Sequence, residues 1–79
     1  MKIEVLGTGC AKCERLEKDV YNALAELDIA AEVSKIKDIK KMMDYKVMLT
    51  PALVINGKVK ASGGVPKIQD LKKYIQEEL

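Results

Sequence analysis

Asn56-Gly57 stands between two short segments, Ala52 to Ile55 and Lys58 to Ser62. A tight two-residue hairpin needs positive φ at both central positions, and Asn-Gly accepts that conformation more readily than almost any other pair. This dipeptide therefore makes the two segments antiparallel neighbours. Thr50-Pro51 breaks the pattern just before the first of them, and the apolar run Ala52-Leu53-Val54-Ile55 has the length of a buried strand. Gly63-Gly64 and Val65-Pro66 follow the second, with Pro66 suited to a first helical position. Ile68, Leu71, Ile75 and Leu79 then mark the inner face of a closing helix.

The amino-terminal half has the other arrangement. Residues 2–6 alternate as a short strand, and Gly7-Thr8-Gly9 is a turn. From Cys10 to about Asp28 the period becomes helical, with Cys13, Leu16, Val20, Leu24 and Leu27 in one apolar stripe. Residues 29–36 form a second strand, with Ala31 and Val33 on one face. Asp38 caps a short helix through about Tyr45, with Ile39, Met42 and Met43 directed inward. A strand, a helix and a second strand in succession make a right-handed crossover with parallel strands. The whole order is β-α-β-α-β-β-α. Its economical solution is one α/β domain spanning 1–79, a four-stranded mixed sheet with helices on both faces.

Composition removes several kinds of function. Fourteen Lys+Arg against twelve Asp+Glu leave a formal charge of +2, without the basic surplus of a nucleic-acid binder. The chain has no His, which excludes Ser-His and Cys-His nucleophile pairs and every His-containing metal site. Apolar runs are too short to span a membrane. Glu4 interrupts any apolar stretch at the start that would resemble a secretory signal, so the expected location is the cytoplasm. In that compartment two cysteines point to redox or metal chemistry rather than to a structural staple. A Cys10–Cys13 bridge would close a loop of only about four residues, worth on the order of 2 kcal/mol in the chain-entropy model.

Cys10-Ala11-Lys12-Cys13 sits where the first strand hands over to the first helix. Three residues apart on a helix, the two side chains share a face, so a disulfide can open and close locally. The unpaired N–H groups at the helix start favour an anion, and the thiolate is the reactive form of cysteine. Cys10 is therefore expected to attack, and Cys13, one turn deeper in the apolar stripe, to resolve the mixed disulfide. The charge of Lys12 favours a thiolate beside it; an ordinary exposed lysine fits the position equally. Tyr21, Tyr45 and Tyr74 read as half-buried packing residues, and Met42, Met43 and Met48 as core filler. Structural zinc takes four ligands, and this pair supplies two.

Taken together, Cys10-Ala11-Lys12-Cys13 after a short strand, Thr50-Pro51 before an apolar strand, and Asn56-Gly57 resemble the small thioredoxin-like and glutaredoxin-like redox proteins of archaea and bacteria. The resemblance covers the whole chain and implies a protein dithiol–disulfide oxidoreductase. It implies a cis Pro51 lying against the disulfide, with the Thr50 backbone left to pair with an extended target. It implies no bound organic cofactor or metal, and as partners a disulfide-containing target protein and a thiol or flavin reductase. The chain is expected to act as a monomer. The family also has a buried acidic residue at the offset of Glu4, assisting proton transfer at the second cysteine. The residue pattern alone places Glu4 reaching solvent past the helix, or partly buried.

The sequence departs in places from the families it resembles. Thioredoxins usually carry Trp before the first cysteine and Gly-Pro between the pair, where this chain has Gly9 and Ala11-Lys12. Glutaredoxins usually follow the two glycines with an acidic residue that helps hold glutathione, and here Val65 stands there. The alternative function is a soft-metal carrier, since Cys-x-x-Cys also binds Cu(I) in small copper chaperones. Those have a β-α-β-β-α-β order and usually a Met two residues before the first cysteine, a position occupied here by Thr8.

Overall fold

The computed structural model describes residues 1–7, 11–47 and 49–79. Seven elements follow one another: β1 (Lys2–Leu6), α1 (Ala11–Leu27), β2 (Glu32–Ile36), α2 (Ile39–Asp44), β3 (Ala52–Ile55), β4 (Lys58–Ser62) and α3 (Ile68–Glu77). The sheet order is β2-β1-β3-β4. β1 runs parallel to β2 and antiparallel to β3, and β3 is antiparallel to β4. The expected α/β architecture, a four-stranded mixed sheet flanked by helices, is the observed one.

Strand alternation sorts the core into two layers. Ile3, Val5, Leu53 and Ile55 point to one face and pack with Leu16, Val20, Ala23 and Leu24 of α1 and Leu71 and Ile75 of α3. Leu6, Ala52 and Val54 point to the other and meet Met42 of α2. β1 and β3 are buried on both faces; β3 is apolar throughout, as such a strand should be, and β1 departs from that only at Lys2 at its exposed start and at Glu4 in its middle. Each large aliphatic side chain fully buried here contributes about 1.5–3 kcal/mol.

Local chemistry explains the element ends. Asp28 adopts φ 54°, and the helix α1 closes on two bonds, Asp28 N–H to Ala25 O at 3.2 Å and Ile29 N–H to Leu24 O at 3.0 Å. This left-handed residue with its pair of reversed bonds turns the chain off the helix. Lys46 repeats the device after α2 with φ 58°, as Lys46 N–H and Val47 N–H donate to Met43 O and Met42 O, both at 2.9 Å. Asp38 caps α2, its Oδ1 accepting from Lys40 N–H at 2.9 Å. Asn56 and Gly57 take φ 52° and 81°, as a tight hairpin turn requires.

Four expectations need correction. β2 begins at Glu32 rather than at residue 29, because Ile29 belongs to the helix-closing turn. Ile39 and Met43 are 64% and 69% exposed, and only Met42 of the three points inward. A six-residue helix meets the sheet through one side chain, and Tyr45 and Val47 fill the space beside it. Pro66 precedes α3 instead of opening it, since Lys67 is still extended and its carbonyl accepts the first bonds of the helix, from Asp70 and Leu71. Leu79 is 75% exposed, one turn beyond the last core contact of α3 at Ile75.

Candidate active site

The carboxyl end of β1 is where the candidate residues gather. Gly7 directly follows β1, and its N–H donates to Ile36 O of β2 at 3.0 Å. Cys13 lies in the first turn of α1 and is 1% exposed, in line with Leu16 and Val20 below it. Gly7 and Cys13 are in close approach: a Cβ built on Gly7 would clash with Cys13 Sγ. Lys12 is exposed beside it. Thr8, Gly9 and Cys10, with Met48, lie outside the described residues.

The pairing of Leu6 with Ala52 brings the start of β3 to this same end of the sheet. Thr50–Pro51 is a cis peptide bond, as the family resemblance implied. Pro51 is buried and Thr50 is exposed, so the chain presents Thr50 outward and anchors itself through the ring that follows. Pro51 O accepts from Gly63 N–H at 2.9 Å, tying this corner to the end of β4. Gly63 adopts φ 83°, and a Cβ there would press to 3.1 Å from Leu49. Gly63 thus lets the segment before Pro51 lie closely against the end of β4.

Glu4 corrects the solvent-reaching placement: it is 3% exposed, in the middle of β1. It stands opposite Val54, on the face that carries α2. Tyr45, just beyond α2, donates its hydroxyl to Glu4 Oε1 at 2.8 Å. A buried carboxylate needs such a donor, because leaving an acceptor unmet in the interior is costly. The bond to Glu4, with burial and the nearby negative charge, raises the Tyr45 hydroxyl above its ordinary pKa. The structure thus brings Gly7, Cys13 and Pro51 to one end of the sheet. It places Glu4 on the face opposite α1, with Tyr45 as its companion. Tyr45 is the residue that sequence reasoning assigned to packing alone. Its only sequence signal is a hydroxyl-bearing side chain at the end of a helix that crosses a strand with a mid-strand acid.

Comparison with known proteins gives the same architecture a lineage. The Thioredoxin domain family matches residues 1–76. The chain belongs to the thioredoxin family. It is similar to a thioredoxin of Methanothermobacter thermautotrophicus, 39% identical over 75 residues that cover 95% of this chain and 97% of the relative. It is also similar to a thioredoxin of Methanocaldococcus jannaschii, 30% identical over 77 residues that cover 98% of this chain and 88% of the relative. The resemblance to small archaeal thioredoxin-like proteins is thereby borne out, and with it thiol–disulfide oxidoreductase activity. Partners of this family are in general disulfide-bearing proteins and reductases. Among the described residues, no helix is long and apolar enough to cross a membrane.

Proposed function

We propose that this chain is a single-domain, monomeric, cytoplasmic protein disulfide reductant working through Cys10 and Cys13. The Cys10 thiolate attacks one sulfur of a target disulfide, forming a mixed disulfide and releasing the other target sulfur as a thiolate. Cys13 then loses its proton and attacks Cys10 Sγ, releasing the second target sulfur and closing the Cys10–Cys13 bridge. The target gains two electrons and two protons. A thiol or flavin reductase restores the dithiol, and the exchange itself needs no organic cofactor or metal in this chain.

The observation that carries this reading is the placement of Cys13, a buried sulfur in the first turn of α1 at the end of the sheet that also holds cis Pro51. A shielded sulfur suits the resolving role, because it meets the mixed disulfide only from within. Exposed Lys12 favours the Cys10 thiolate by its charge, and the backbone of exposed Thr50 is available to pair with an extended target strand. Glu4 is the buried carboxylate assigned to proton transfer at Cys13.

Trapping tests the assignment. Cys13→Ser is expected to accumulate a covalent complex with a disulfide-bonded target such as insulin, and Cys10→Ser is not. Trapping by Cys10→Ser alone reverses the two roles. A chain that cannot cycle between dithiol and disulfide, yet binds Cu(I) stoichiometrically, refutes the oxidoreductase mechanism in favour of metal carriage. Unchanged reduction kinetics across pH in Glu4→Gln removes Glu4 from the mechanism.

A further inference from the structure

The residue at position 7 has no conformational reason to be glycine. The glycines with positive φ among the described residues are Gly57 and Gly63. What stands out at Gly7 is the lack of space beside it, where a Cβ would clash with Cys13 Sγ and lie 3.1 Å from Cys13 Cβ. Neither backbone has room to retreat. Gly7 is bound to β2 through its N–H to Ile36 O at 3.0 Å, and the preceding Leu6 is paired on both sides, with Ile36 and Ala52. Cys13 sits on a helix anchored one turn later by Leu16, which is fully buried. The sulfur is thus the atom that must move if position 7 acquires a side chain.

We propose that Gly7 is a positioning residue for thiol–disulfide exchange: its bare Cα is the seat against which the Cys13 sulfur rests. The inference rests on the reading of Cys13 as the resolving thiol. Disulfide geometry is narrow in both distance and dihedral angle. The bridged form needs Sγ of Cys13 in one place, whereas the dithiol tolerates a rotated Sγ. A methyl group at position 7 therefore penalises the disulfide more than the dithiol.

The test pairs a redox measurement with a thermal one. Gly7→Ala is expected to shift the equilibrium with a reference thiol toward the dithiol by tenfold or more, which is about 30 mV for a two-electron couple. It is also expected to lower Tm when Cys13 is present, and to lower it far less in the Cys13→Ala background, where the sulfur is gone. An unchanged midpoint potential, or an equal Tm loss in both backgrounds, overturns the proposal. Where Gly7→Ala alone fails to fold, the Gly7→Ala, Cys13→Ala double variant is expected to fold; an unfolded double variant also overturns it. Failure of the wild-type chain to cycle refutes the proposed function instead, and the comparison of Tm losses still decides whether Gly7 seats the sulfur.

Discussion

Replacing Tyr45 by Phe removes one oxygen and nothing else, and its consequence can be worked from the structure. Glu4 Oε1 accepts the Tyr45 hydroxyl at 2.8 Å, and Glu4 is 3% exposed. A hydrogen bond to a charged group contributes about 1.5–3 kcal/mol, and the larger share of its loss comes from leaving a buried acceptor unmet. For a domain of this size each kcal/mol moves Tm by about 4–8 °C, so Tyr45→Phe is expected to lower Tm by on the order of 10 °C. Glu4→Gln keeps an acceptor oxygen in place and is expected to lose less. In the Glu4→Gln background the further cost of Tyr45→Phe shrinks, because a neutral acceptor is cheaper to strand. The assay is thermal unfolding of the four variants by circular dichroism. Tyr45→Phe at wild-type Tm refutes the claim that the hydroxyl satisfies the buried carboxylate. The same pair has an alkaline signature. The Tyr45 pKa is raised in the fold, first by the bond to Glu4 and then by burial, above its ordinary 10.0. The folded state then holds this proton more tightly than the unfolded chain. Stability from the pair is complete below the ordinary value and falls as pH rises through the folded one. Absorbance of tyrosinate in Glu4→Gln is expected to show Tyr45 titrating closer to its ordinary value.

Two other changes probe the fold beyond the site. Glu78 is held below its ordinary carboxylate pKa of 4.5, first by the hydrogen bond from Lys60, with burial opposing; Lys60 Nζ lies 3.0 Å from Glu78 Oε2 and 3.5 Å from Glu77 Oε1. This stability is present above the ordinary value and lost as pH falls through the folded one, so Lys60→Ala is expected to flatten the acid side of the Tm–pH curve. An acid limb as steep as the wild-type one would show that this ion pair adds nothing. Asp38→Ala deletes the cap that accepts Lys40 N–H and is expected to cost about 1 kcal/mol in urea unfolding, with unchanged slope. An unaltered urea midpoint would mean that α2 is held by Met42 and Tyr45 alone.

Much of this protein is written in local chemistry. The Asn56-Gly57 turn, the Asp38 cap and the α1 stripe from Cys13 to Leu24 each depend on residues a few positions apart, and each appears where the pattern puts it. Their sum orders the elements, and the rule that a β-α-β unit pairs in parallel carries much of the sheet. The cis form of Pro51 came with the family resemblance rather than from any local signal, because a lone X-Pro bond favours trans. α2 was legible as a helix but not in its orientation. With six residues it has too few turns to define a face, and the sheet beneath it selects Met42 over Ile39 and Met43.

The sequence by itself determined which strands and helices form and in what order, because turns, caps and periodicity act over one or two turns of chain. Only the tertiary structure decided what the functional groups touch. Glu4 becomes a buried, paired carboxylate because β1 takes the centre of the sheet, and its partner Tyr45 is 41 residues away. Gly7 acquires its meaning from the sulfur six residues later, across the junction from strand to helix. Contacts of that kind depend on how layers stack, and no pattern confined to one segment contains them.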